Sequence, residues 1–172
     1  KDERRTITYN MKDLYGRSQQ TCKLVLMRLA DAMAGTVSPA VEGELTVEHI
    51  LPTKPSSTSI WQQWFADANQ RARFCSSIGN LALLPTALND RARNHEFTRK
   101  RLVYREADRG VAGLLLQDVL DQQEWRATQI ERREAQFQEM IQQLWNFKDS
   151  KTDADASPDQ LPRPGRASRR RA

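Results

Sequence analysis

Four polar side chains sit where polar groups are costly unless they are paired or used. Glu48 and His49 lie inside the apolar stretch TVEHILPTKP, Asn80 lies inside SIGNLALLP, and Asn89 follows Asn80 by nine residues. Val47, Ile50 and Leu51 read as a short buried strand, and the chain holds only two histidines. A histidine placed there, directly after a glutamate, asks for a chemical reason. Hydrolysis of a phosphodiester supplies one. An imidazole takes a proton from water near neutral pH. Carboxylate and amide oxygens suit a hard cation such as Mg²⁺, which keeps several waters and takes few protein ligands. A further group must hold the imidazole in one tautomer and orientation. Each residue also has a bland reading in isolation: a satisfied core histidine, an ion-paired glutamate, and asparagines that cap a turn or sit in a first helical turn.

The elements that must position these groups are short. Cys22, Leu26, Leu29 and Met33 recur at helical spacing from about Ser18 to Ala34, and Gly35 is a natural stop. GTVSPAVEGE is a turn-rich connection into a strand near Leu45 to Ile50. Thr58 or Ser59 can cap a helix carrying Ile60, Trp61, Trp64 and Phe65, with both tryptophans expected in the core. After a turn at Ser-Ile-Gly-Asn, Leu81 to Leu84 form a second brief strand, and Pro85 and Thr86 open a helix to about Arg93. Further helices are expected from Glu96 to Glu106, across Val111, Leu115 and Val119, and from Asp121 onward, with Asp121 and Glu124 as a capping box. In that last helix Phe137, Met140, Ile141, Leu144 and Trp145 follow one face. The fold class is therefore α+β, mostly α-helical, with a short β-hairpin plus helix embedded in a helical domain.

EHILP followed by GNLALLPTALN resembles the ββα-metal motif of HNH nucleases, the His-Me finger. The longer pattern TVEHILP, IGNLALLPTALNDRARNHEFTRKRLVY, a tryptophan and ERR is similar to the C-terminal HNH domain of GmrSD-type restriction enzymes, a domain also carried by SspE-like phage-defence proteins. The similarity spans roughly residues 10–147, and its specific part lies between 46 and 105. It implies a metal-dependent DNA endonuclease domain that nicks DNA, in restriction of phage or of modified or foreign DNA. His49 would be the general base, Glu48 and Asn89 the metal ligands, and Asn80 the group that orients His49 through its amide. Gly79 would permit the turn that brings Asn80 there. Asn94 and Lys100 match further positions, for either positioning or phosphate contact. Mg²⁺ is the expected ion, with Mn²⁺ as an alternative. Many such sites have Asp where Glu48 stands, and a longer side chain reaches the metal differently or through water. Many also carry CxxC zinc pairs, which this chain lacks, so no structural zinc is expected.

Composition sets the frame for partners. The formal charge is +5 over 172 residues, and residues 149–172 hold six basic and four acidic side chains, which leaves +3 for the remainder. That excess is too small to argue for nucleic acid by itself. The distribution is more telling: Arg91, Arg93, Arg99, Lys100, Arg101 and Arg105 face three acids between 89 and 106. This cluster is either a phosphate-facing strip or a solvated face with ion pairs. With the resemblance, Arg91, Arg93, Asn94, Arg99, Lys100 and Arg101 are the expected DNA contacts, largely to backbone. Cys22 and Cys75 read as buried free thiols, which suit a reducing cytoplasm. No apolar run is long enough to span a bilayer. The domain is expected over 1–148, with its strand-strand-helix core at about 45–94, followed by a disordered basic tail at 149–172. The chain opens on Lys1, which leads to the expectation of an N-terminal recognition or NTPase domain in the same polypeptide. A homo-oligomer is an option, since one such site cuts one strand. Two other readings stand beside the nuclease: a binding module of the same fold that does not cut, and an RNase.

Overall fold

Local signals in the sequence account for some of the element boundaries, those of α2 above all. The computed structural model describes residues 13–35, 44–107 and 110–144. In chain order it contains α1 (Leu14–Arg17), α2 (Gln19–Ala34), β1 (Leu45–His49), α3 (Ile60–Trp64), α4 (Ala68–Ser76), a 3-10 turn (Ile78–Asn80), β2 (Leu81–Pro85), α5 (Thr86–Ala92), α6 (Phe97–Tyr104), α7 (Val111–Leu120) and α8 (Ala127–Leu144). The Ser18 hydroxyl accepts from the Thr21 amide at 3.1 Å and starts α2. Gly35 ends it at φ 66°, a left-handed conformation that glycine adopts without penalty. No described helix is long and apolar enough to cross a membrane.

The two strands pair antiparallel, with Leu45 opposite Pro85, Val47 opposite Leu83 and His49 opposite Leu81. Leu81 to Leu84 are all fully buried, which explains an unbroken apolar run where a half-exposed strand would alternate. Helices α2, α5 and α7 pack against this small sheet. The strands are not joined by a tight hairpin turn. The connection from Ile50 to Asn80 contains α3 and α4. Helix α4 was not expected from the sequence: ANQRARFCS is polar until Phe74 and Cys75, and its start depends on the Asp67 carboxylate accepting from the Gln70 amide at 2.6 Å.

Helix α8 begins at Ala127 rather than Asp121. Asp121 instead closes α7, and Glu124 pairs with Arg126 at 2.7 Å instead of completing a capping box. On α8, Phe137 and Ile141 are buried and Met140 half-buried, while Leu144 is exposed. Trp145, the connection at 36–43, the tail at 149–172 and any preceding domain lie outside the described residues. The Ser59 side chain makes no capping bond to α3; both Glu96 carboxylate oxygens take the Ile60 amide at 3.2 Å instead. Trp61 lies in the core and donates from its indole to the His95 carbonyl at 3.0 Å. Trp64 is only half-buried, with the Arg126 guanidinium 5.2 Å from its ring. Both cysteines are free and buried, and burial pushes the Cys22 thiol up to about 12 and Cys75 to about 11.

Candidate active site at the strand ends

His49 is the last residue of β1, and its backbone is held from three sides. It pairs with Leu81 across the strands, the following Ile50 amide donates to the Asn80 carbonyl at 3.0 Å, and Lys100 Nζ donates to the His49 carbonyl at 2.6 Å. The imidazole is half-buried and takes no hydrogen bond from the described residues; its ring contact is Tyr15, centroid to centroid 4.4 Å at 87°. Burial, reinforced by the Lys100 charge, pushes His49 down to about 4. A ring shifted this far is neutral near pH 7 but a weaker proton acceptor than an unperturbed histidine.

That shift has a consequence for stability. An unfolded histidine binds its proton near pH 6.5, while the folded one stays neutral to about 4. Between those values the unfolded state carries more protons, so stability rises with pH and is lost as pH falls through the window. The metal-free protein should lose up to about 3 kcal/mol through this residue between pH 6.5 and 4. Urea unfolding of wild type and His49→Gln at several pH values measures it. Equal pH slopes for the two would show that His49 titrates normally in the fold.

Glu48 is buried. Its Oε1 accepts from Lys100 Nζ at 2.6 Å and from the Tyr104 hydroxyl at 2.6 Å. The Glu48 side chain is 4% exposed and that of Lys100 0%. Burial lowers the Lys100 pKa, and the Glu48 carboxylate opposes that shift. Burial, then Glu48, raise Tyr104 well above its ordinary value, so the phenol stays protonated and donates. The expectation of Lys100 as a DNA contact is corrected here: a side chain with no exposed surface reaches no phosphate, and its role is positioning.

Asn80 is also reassigned. Its Oδ1 accepts from the Leu51 amide at 2.7 Å and the Trp125 indole at 3.1 Å, and its Nδ2 donates to the Leu51 carbonyl at 3.0 Å and the Cys75 carbonyl at 3.2 Å. With the amide consumed, nothing is left to orient the imidazole. Asn80 instead clamps the segment leaving His49. Gly79 is needed for a close approach and not for a turn conformation: it is not at positive φ, and a Cβ there would lie 2.2 Å from the Ile130 carbonyl of α8. Arg133, also from α8, is buried and donates Nη1 to the Gly79 and Leu81 carbonyls at 2.9 and 2.8 Å, and Nη2 to Leu115. Its Nε lies 2.9 Å from Asp118 Oδ2 but is not aligned to hydrogen-bond with it.

Asn89 comes from α5 and donates Nδ2 to Thr46 Oγ1 at 2.9 Å and to the Val47 carbonyl at 3.1 Å, which ties α5 to β1 next to Glu48. Asn89 Oδ1 and Glu48 Oε2 take no hydrogen bond from the described residues. Among the described residues no group of three His, Cys, Asp or Glu side chains is gathered to hold a metal ion.

The basic strip is uneven. Arg91 is exposed but forms a two-pronged pair with Glu106, 2.6 Å on each side. Arg101 is half-buried and donates to the Leu120 carbonyl at 2.8 Å and to Gln123 at 3.2 Å. Arg93, Asn94, His95 and Arg99 are exposed. Arg93 sits at φ 38°, the one described non-glycine residue at positive φ, with Nε donating to the Asp90 carbonyl at 2.6 Å. Four residues of the site were not assigned roles from sequence: Tyr15, Tyr104, Trp125 and Arg133. Trp125, Tyr104 and Arg133 lay within the recognised pattern, but their partners are distant in sequence. Nothing in the sequence pointed to Tyr15.

A family model described as GmrSD restriction endonucleases, C-terminal domain, matches residues 1–140. No curated protein and no solved structure matches the chain.

Proposed function

The chain belongs to the family of GmrSD restriction endonuclease C-terminal domains, and from that premise we propose that it is an HNH-type, metal-dependent DNA nuclease that nicks one strand per event. The observation that carries this reading is His49 itself, a half-buried imidazole at a strand end that takes no hydrogen bond from the described residues and directly follows Glu48 in the chain. Glu48 Oε2 and Asn89 Oδ1 are hard donors that suit Mg²⁺ or Mn²⁺. A divalent ion held there would stabilise charge on the scissile phosphate and on the leaving 3′ oxygen. The chain's own residues do the rest. His49 accepts the proton of the attacking water at its unprotonated ring nitrogen. Lys100 and Tyr104 fix Glu48, and Lys100 also fixes the His49 carbonyl. Asn80 fixes the exit of the strand. Arg93, Asn94 and Arg99 are exposed and suited to DNA backbone, with little base reading. Arg91 would first have to release Glu106, and Arg101 would have to release Leu120. Recognition of foreign or modified DNA would lie with an N-terminal domain of the same polypeptide, and double-strand cleavage would need a dimer or a second event.

One observation favours a module that binds without cutting: Glu48 is already charge-paired with Lys100 in the interior. The decisive assay is supercoiled-plasmid cleavage with Mg²⁺, Mn²⁺ or EDTA, beside His49→Ala, Asn89→Ala and a matched RNA. Wild type should produce nicked circles only with a divalent ion. His49→Ala should lose about 100-fold or more of the rate, as removal of a general base does, and Asn89→Ala should bind metal more weakly. Metal-independent nicking, or full activity in His49→Ala, would sink the mechanism. Faster cleavage of RNA would move the substrate class.

A further inference from the structure

The backbone of His49 is pinned by Lys100, by the Ile50–Asn80 hydrogen bond and by the strand register, yet the imidazole has no hydrogen-bond partner among the described residues. Asn80 does not supply one, because all its amide capacity goes to Leu51, Cys75 and Trp125. Rotation of the ring about its side-chain bonds is therefore limited by packing, and the aromatic ring packed against it is Tyr15. The two rings meet nearly at right angles, 87° between planes, with centroids 4.4 Å apart. Perpendicular aromatic contacts of this kind are attractive and directional.

Tyr15 is anchored by its neighbours in the chain. Its neighbour Leu14 is buried in the core, and the Ser18 amide donates to the Leu14 carbonyl at 3.1 Å before Ser18 caps α2. Helix α1 thus joins α2 through one residue, and α2 packs on the strands that carry His49. Tyr15 is itself half-buried, and its hydroxyl bonds to none of the described residues. The contact with His49 rests on the ring.

We propose that Tyr15 is a positioning residue whose ring fixes the rotamer of His49 for proton transfer. This rests on the reading of His49 as the base. The geometry separates two duties across the fold: α6 and the turn before β2 hold the backbone of residue 49, and α1 holds its ring. A base misplaced by a fraction of its reach loses rate without losing substrate affinity. The change should therefore fall on kcat and spare KM.

The test uses the whole chain with Tyr15→Leu and Tyr15→Phe. In metal-free protein, His49 and His95 are the only imidazoles to assign by proton NMR. The His49 ring protons, shifted by the neighbouring aromatic ring, should keep their positions in Tyr15→Phe and move toward free-histidine values in Tyr15→Leu. In plasmid nicking, Tyr15→Leu should lower kcat roughly tenfold or more with KM changed less than about twofold, while Tyr15→Phe stays within about threefold of wild type. Circular dichroism and the unfolding midpoint establish that the Leu variant is folded at the assay temperature. Unmoved His49 resonances in Tyr15→Leu would overturn the proposal, as would unchanged kcat alongside a displaced ring signal. A Phe variant as slow as the Leu variant would also overturn it, by assigning the role to the hydroxyl. Full activity in His49→Ala would sink the nuclease mechanism instead, and the NMR result would still report whether Tyr15 sets the ring.

Discussion

Lys100→Met should cost about 3–5 kcal/mol of folding stability, the range for breaking one partner out of a buried ion pair, and should abolish nicking. Its ammonium has no exposed surface and makes two 2.6 Å hydrogen bonds, to Glu48 Oε1 and to the His49 carbonyl. Methionine fills similar volume but leaves the Glu48 carboxylate in the interior with Tyr104 as its one hydrogen-bond donor among the described residues. Such a carboxylate either stays charged at high cost or takes up a proton. In the second case it offers a weaker ligand to any cation. The double variant Glu48→Gln with Lys100→Met removes both charges, and it should regain most of the stability without regaining activity. That divergence separates a structural pair from a site that also works. Urea unfolding and plasmid nicking on the wild type, both single variants and the double complete the cycle. A Lys100→Met protein within about 1 kcal/mol of wild type would mean that the pair is not desolvated in solution.

This residue also marks the limit of the sequence. Between 89 and 106 Lys100 is the lone lysine among five arginines and shares a helix face with Phe97, Val103 and Tyr104, yet in sequence it reads equally as a positioning group or a phosphate contact. The packing of α6 against α5 and α7 turns Lys100 inward to Glu48 of β1, Arg99 outward and Arg101 toward the end of α7. Asn80 was recognisable as a site residue by its spacing, but not in its role, because Leu51 and Trp125 lie 29 and 45 residues away in sequence. By contrast, Ser18 and Gly35 bound α2 through contacts within three residues, and those boundaries were legible. Helix α4 escaped notice because its apolar residues come only in its last turn. The start of α8 was misplaced because Asp121 and Glu124 have capping spacing, yet Asp121 ends α7. Glu48 and His49 stood out because a charged residue within an apolar strand has few uses.

Gly79→Ala is expected to be severely damaging. The new Cβ would lie 2.2 Å from the Ile130 carbonyl and 2.8 Å from the Glu134 amide, both backbone atoms of α8. No rotamer change relieves a backbone clash, so α8 would have to withdraw by roughly 1 Å to restore ordinary contact. Withdrawal weakens the Arg133 hydrogen bonds to Gly79 and Leu81, and the 2.5 Å bond between Ser77 and Glu134. The cost should exceed about 4 kcal/mol, the range reached by overpacking combined with loss of a buried network. Gly35→Ala is the matched control. It carries a left-handed φ of 66° but open space around it, and should cost about 1 kcal/mol. Thermal unfolding of both variants distinguishes close approach from backbone conformation as the reason for glycine at 79. Equal costs would mean that α8 is not seated on the turn. A Gly79→Ala protein that still folds should nick poorly, since the next residue, Asn80, holds Leu51 two positions beyond the base through two hydrogen bonds. The seating of α8 on the turn and the aim of His49 are in that sense one constraint, passed through a single buried asparagine.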